Sequence, residues 1–216
     1  MTASARPGNW VAKLQHFARG LPRMTDAQCD LCAASIPEMH SHLAEPESRR
    51  LLCVCRSCAM LLGNAENGRY KLVPERAQAL SDFRLSDADW DVLGIPIGLA
   101  FFFHSTADGH VLAFYPGPAG PTESLLELSA WSQLVARNPV LAGFEPDVEA
   151  LLVNRVNGAR AYYRMPIDRC YALVGLIRSH WHGVTGGAEA WQAIDGFFAG
   201  LEGRPESSVA LERHHG

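Results

Sequence analysis

Long apolar runs are missing from this sequence. The longest, Leu93 to Phe103, is interrupted by Gly94, Pro96 and Gly98 and is too short to cross a bilayer, so no membrane association is expected. A basic surplus is missing too: 19 Lys and Arg face 23 Asp and Glu, a net charge of -4. A chain whose main task is to neutralise phosphates carries the opposite balance, so no nucleic-acid partner is expected. Residues 1–20 hold no apolar core of a secretory signal, and a cytoplasmic location is the expectation. No P-loop, GxGxxG, HExxH or GxSxG pattern occurs. Their absence removes the readily recognised enzyme classes without excluding catalysis, and no enzymatic class is indicated.

What is present is cysteine, and it is clustered. Five of the six cysteines fall between Cys29 and Cys58. In a cytosolic chain such clustering points to metal rather than disulfides. The pairs are Cys29-Asp30-Leu31-Cys32 and Cys55-Arg56-Ser57-Cys58. A CxxC turn aims two sulfurs at one point, and two such turns complete a tetrahedron, so Cys29, Cys32, Cys55 and Cys58 are the expected ligands of a structural zinc. Between the pairs, His40–Ala44 and Arg49–Cys53 read as two short strands, and Ala59–Leu62 continues as a helix. The order of knuckle, hairpin and helix resembles the treble-clef zinc fingers. A helix N-terminus under the second pair would stabilise its thiolates.

Rival readings concern the same residues. Iron in a rubredoxin-like site also uses two CxxC pairs, but a rubredoxin knuckle carries Gly after its second Cys, where Ala33 and Ala59 stand here. Cys53 lies two residues before Cys55, so strand alternation would put both on one side and make Cys53 an extra or substitute ligand. His42 is a further substitute. Cys53 can equally be a buried thiol, and His42 a surface residue of the hairpin.

The chain divides by composition into an N-terminal helix and linker (1–28), the four-cysteine zinc finger (29–63), an α+β domain (69–202) and a flexible tail (203–216). Asn9–Arg19 carries an amphipathic helical pattern. In the larger part a short strand is expected over Arg69–Val73, then partial helix over Glu75–Phe83. A helical turn capped at Ser86 follows. Ile97–Ser105 and His110–Tyr115 form a hairpin around Asp108-Gly109, with Leu99–Phe103 covered on both faces. Pro116–Pro121 reads as a loop, Ser124–Leu128 as a strand and Ala130–Arg137 as a helix capped by Ser129. A second hairpin turns at Asn157-Gly158, followed by helices Arg169–His182, capped by Asp168, and Ala188–Leu201. The expected fold class is α+β: an antiparallel sheet of two hairpins with helices packed on one face.

Other chemistry-bearing residues read as structural. His104, Asp108 and His110 surround a turn, and His104 is expected to pair near Ala113. His180 and His182 point to different faces of a helix. Cys170 lies on an apolar helix face and belongs to the core. An enzyme pocket would have to gather polar groups such as Glu123, Asp168 and Arg178 between sheet and helices.

Several strings resemble a bacterial family of unassigned function encoded in gene clusters for nickel–iron hydrogenases. They are Cys29–Cys32, Leu51–Cys58, Ile95–Phe103, Phe114–Gly120 with Glu123–Leu126, and Pro166–Arg178. The resemblance runs from about Arg23 to Arg204. It implies an accessory or maturation role and a protein partner, a hydrogenase subunit or maturation factor. It brings no catalytic residues. An iron-thiolate redox protein in the same pathway is the alternative.

Overall fold

The hairpin around residues 106–109 and the one around Asn157-Gly158 lie side by side at the centre of a six-stranded antiparallel sheet. The computed structural model describes residues 27–63, 68–117, 120–181 and 187–202. The expected helix at Asn9–Arg19, the tail at 203–216 and His182 lie outside them.

The N-terminal unit is built on β1 (Ser41–Glu45) and β2 (Arg50–Val54), which pair antiparallel, Leu43 opposite Leu52. α1 (Arg56–Leu62) follows directly. β3 (Lys71–Leu72) pairs with β1, so a strand that composition assigns to the larger part completes the three-stranded sheet of the N-terminal unit. Leu43, Leu52 and Val54 of the hairpin pack with Cys29, Ile36 and Ala59 into a small core. Ala44 packs instead into the main core of the larger domain.

The larger sheet comprises β4 (Gln78–Ala79), β5 (Leu99–Ser105), β6 (His110–Gly117), β7 (Gly120–Ser124), β8 (Glu149–Asn154) and β9 (Ala161–Pro166). They lie in the order β4-β9-β8-β5-β6-β7. Among the described residues four helices accompany it: α2 (Asp87–Leu93), α3 (Leu128–Arg137), α4 (Ile167–His180) and α5 (Gly187–Glu202). β5 and β8 are apolar without alternation, and strands of that kind need cover on both sides. Phe101, Phe103 and Leu152 face α4 and α5, where Cys170, Ile177 and Phe198 complete one core. Phe102, Leu151 and Val153 face the opposite way, onto Trp90, Leu93 and Leu134 of α2 and α3. The expectation of helices on one face is therefore corrected: both faces are covered.

Local signals held where a side chain fixes the backbone. Ser86 caps α2, its hydroxyl accepting from Asp89 N–H while the Asp89 carboxylate accepts from Ser86 N–H. Asn157 takes a left-handed conformation at φ 53°, which turns β8 into β9 through a single 3-10 turn.

Elsewhere tertiary pairing overrode them. Gln78 and Ala79 add an edge strand to β9 instead of forming helix. Gly117 pairs with Gly120, so the expected loop at 116–121 is the close of the β6–β7 hairpin. Ser129 lies inside α3, whose N-cap is Glu127. His104 pairs with Val111 rather than near Ala113, because four residues, 106–109, make the turn.

Candidate metal centre

The first half of the site is a tight turn. Ala33 N–H donates to the Cys29 carbonyl and Cys29 N–H to the Ala34 carbonyl, both at 2.8 Å. Ala33 sits at φ 58°, in the left-handed region. A rubredoxin knuckle places Gly there because Gly adopts this conformation without strain, and Ala33 adopts it nonetheless. The Gly-to-Ala difference therefore does not distinguish zinc from iron at this turn.

The second half sits where β2 gives way to α1. Cys55 is the helix N-cap and its sulfur accepts from Cys58 N–H at 3.5 Å. A clamp joins the halves: Asp30 N–H donates to the Cys53 carbonyl at 2.8 Å. Cys53 N–H donates back to the Asp30 carboxylate at 2.6 Å.

These constraints bring the sulfurs of Cys29, Cys32, Cys55 and Cys58 within 4.8 Å of one another. Cys32 and Cys55 are 3.7 Å apart. Four sulfurs about 2.3 Å from one ion stand roughly 3.8 Å apart at the corners of a tetrahedron, so the arrangement fits a thiolate-bound metal. Cys29 is buried, Cys55 and Cys58 half-buried, and Cys32 exposed.

The electrostatics ask for a cation. Burial pushes the Cys29 thiol up, but hydrogen bonds from the backbone of Cys55, Leu31 and Cys32 overcome it and bring the group down to about 6. At Cys32 the Ala34 backbone lowers the value, yet contacts with Cys29 and Cys55 leave it raised. Cys58 is pushed up to about 12, by burial first and then by the neighbouring thiols. Cys29 ionises readily, whereas Cys32 and Cys58 resist ionisation, and a divalent ion would compensate the charge of their thiolates. The four cysteines can hold a metal ion.

Cys53 and His42 do not join this group. β2 ends at Val54, and the Cys55 sulfur turns back onto its own helix, so the two-residue spacing does not carry Cys53 to the same point. Cys53 and His42 stand opposite each other across β1 and β2, and with His40 they form a second convergence of ligating atoms, also within 4.8 Å. Burial, and then the charge of Asp30, raise the Cys53 thiol. His40 was missed in the sequence. The signal was His40-Ser41-His42 entering a strand, where alternate residues share a face.

The other candidates scatter. Cys170 is fully buried in the main core, and burial pushes its thiol well up. Glu123 pairs with Arg49 at 3.3 Å. Asp168 pairs with His42 at 2.9 Å. Asp168 does not cap α4: the helix begins at Ile167 with Pro166 as N-cap, and Asp168 lies in the first turn. Phe101, Phe103, Phe114 and Tyr171 fill the space between sheet and α4, with Tyr171 edge-on to Phe101 at 5.5 Å. Arg178 lies near the C-terminal end of α4 and Asp168 at its start, so Glu123, Asp168 and Arg178 form no common pocket there.

Fold and site together define a chain of helices and antiparallel sheets with a four-cysteine centre able to bind a metal near its N-terminus. No helix among the described residues is long and apolar enough to cross a membrane. The chain belongs to DUF5947, a family of unknown function, whose model matches residues 28–205. No curated protein and no solved structure matches it.

Proposed function

We propose that this is a zinc-binding accessory protein, in which zinc on Cys29, Cys32, Cys55 and Cys58 fixes a treble-clef-like finger and the finger contacts a protein partner. The observation that carries the zinc reading is the convergence of the four sulfurs, with Cys32 and Cys55 at a tetrahedral-edge spacing of 3.7 Å. A core of six small or medium residues is too little to hold such a unit alone, whereas structural zinc contributes roughly 10–16 kcal/mol in finger peptides.

The partner reading rests on two supports. Met60 and Leu61 of α1 are 65% and 77% exposed, as apolar side chains at contact surfaces are. The second is the resemblance to proteins encoded beside nickel–iron hydrogenases, which points to a hydrogenase subunit or maturation factor. Affinity purification from a hydrogenase-expressing cell is the test. Recovery of a hydrogenase component by the native chain, and its loss with Met60→Glu/Leu61→Glu, is the expected result. Recovery of none sinks the partner reading.

An iron-thiolate redox protein is the second reading, since the left-handed Ala33 gives the knuckle a backbone that suits either metal. Elemental analysis separates them. Zinc protein is colourless, and iron protein is red through thiolate charge transfer.

A further inference from the structure

His40 and His42 present a problem that the four-cysteine centre does not solve. His40 Nδ1 lies 2.9 Å from the Pro37 carbonyl and 3.1 Å from that of Glu38. Carbonyl oxygens only accept, so Nδ1 carries the proton and Nε2 is left with a bare lone pair. That Nε2 is buried and has no hydrogen-bond partner, the only such side-chain atom among the described residues. A buried acceptor without a partner is unfavourable, and a ligand would relieve it. His42 is oriented in the same sense. Its Nδ1 lies 2.9 Å from the Asp168 carboxylate, which fixes the ring and leaves Nε2 to serve as a ligand. The two rings lie 4.7 Å apart. Cys53, directly across the hairpin from His42, brings a thiol to the same point, and its backbone is held on both sides by Asp30.

We propose that His40, His42 and Cys53 form a second metal site, separate from the four-cysteine centre, that binds zinc and leaves one coordination position open. The donor set selects the ion. Two imidazoles and one thiolate suit zinc or another late first-row ion and do not suit magnesium or calcium, which take oxygen ligands. Three protein ligands and a vacant fourth position are the pattern of zinc sites that bind water or an incoming ligand, whereas the four thiolates of the other centre close it. A metal-bound histidine almost always donates its second nitrogen to a carboxylate or carbonyl. Both histidines here already do so, His42 to Asp168 and His40 to the backbone of Pro37 and Glu38. Asp168 is thus a positioning residue, contributed by α4 of the larger domain to a site otherwise built on the finger. The half-buried setting of all three ligands leaves an ion a route in.

The test is metal stoichiometry. Full-length protein is stripped under reducing conditions and titrated with zinc and, separately, with cobalt(II), whose thiolate charge-transfer bands report sulfur ligands. The native chain is expected to take two equivalents. H40Q/H42Q is expected to take one and to keep the intense charge transfer of the four-cysteine centre, while C55S/C58S is expected to lose both equivalents, because the hairpin that carries His42 and Cys53 melts with the finger. Asp168→Asn is expected to weaken the second equivalent about 10- to 100-fold and to leave the first unchanged.

One equivalent in the native chain, unaltered in H40Q/H42Q, overturns the proposal, and so do two equivalents in H40Q/H42Q. A native chain that takes one equivalent and loses it in H40Q/H42Q supports the second site and overturns the four-cysteine reading instead. If H40Q/H42Q takes no metal because the finger fails to fold, Asp168→Asn decides, and an unchanged second affinity there overturns the proposal.

Discussion

The finger and the larger domain are held together by different physics. The domain buries Phe101, Phe102, Leu151, Leu152 and Met165 almost completely and packs helices on both sides of its sheet. Its stability is that of an ordinary apolar core. The finger buries Leu43, Val54 and a few small neighbours, and other positions of its hairpin are given over to His42 and Cys53. There the sulfurs must supply what apolar area does not. On the proposed reading, the chain is metal-dependent over about 35 residues and metal-independent over the rest. The two halves meet through Lys71–Asp147 at 2.8 Å, Arg49–Asp108 at 2.7 Å and His42–Asp168 at 2.9 Å.

The largest break falls on the finger. Cys58→Ala removes one ligand of four and is expected to abolish tight zinc binding and melt the finger, on the scale of about 10 kcal/mol of linked binding energy. Limited proteolysis then cuts between Cys29 and Leu62, while the domain survives intact. The pH dependence follows from the thiols. Cys32 and Cys58 both lie above the ordinary thiol range in the metal-free site. Both therefore carry protons at pH 7, and zinc must displace them. At least two protons are released per zinc at the four-cysteine centre, measurable with an indicator dye, and zinc affinity falls as pH falls.

In the domain, Phe101→Ala is expected to cost about 3–5 kcal/mol. That cost should be the same with metal or with chelator in a urea titration. A cost that vanished on chelation would mean that the two cores are one cooperative unit. At the junction, the Asp147 carboxylate accepts from Thr106 N–H and hydroxyl as well as pairing with Lys71. Asp147→Asn keeps the shape and the left-handed backbone but loses the charge, with an expected loss of about 1.5–3 kcal/mol. A double-mutant cycle with Lys71→Ala isolates the ion pair. Least costly is Ser86→Ala, which removes one half of the α2 capping box for about 1 kcal/mol. Its effect should stay in the domain and leave zinc affinity unaltered.

Much of the site was legible because it rests on spacing. Two CxxC turns need only local geometry to aim their sulfurs, and those of Cys29, Cys32, Cys55 and Cys58 do meet. The β5–β6 and β8–β9 hairpins were legible for the same reason, since Asp108-Gly109 and Asn157-Gly158 encode the turns they make. What stayed hidden depends on long-range contact. Gln78–Ala79 is a two-residue edge strand that exists only because β9 offers a free edge. Asp168 resembles a helix cap in sequence, and only the docking of the finger against α4 turns it toward His42. His40 carries only the alternation of His40-Ser41-His42 in sequence, and the fold is needed to show its Nε2 buried and unpaired. The continuous apolar run Leu99–Phe103 of β5 already implied two covered faces, although the expected order of elements suggested one.

Hydrogen exchange resolved by residue, on the metal-loaded and the chelated protein, tests the central contrast most directly. Chelation is expected to abolish protection over β1, β2 and α1, residues 41–62, while β5, β6, β8 and β9 keep theirs. Equal protection of residues 41–62 with and without metal would contradict a metal-held finger.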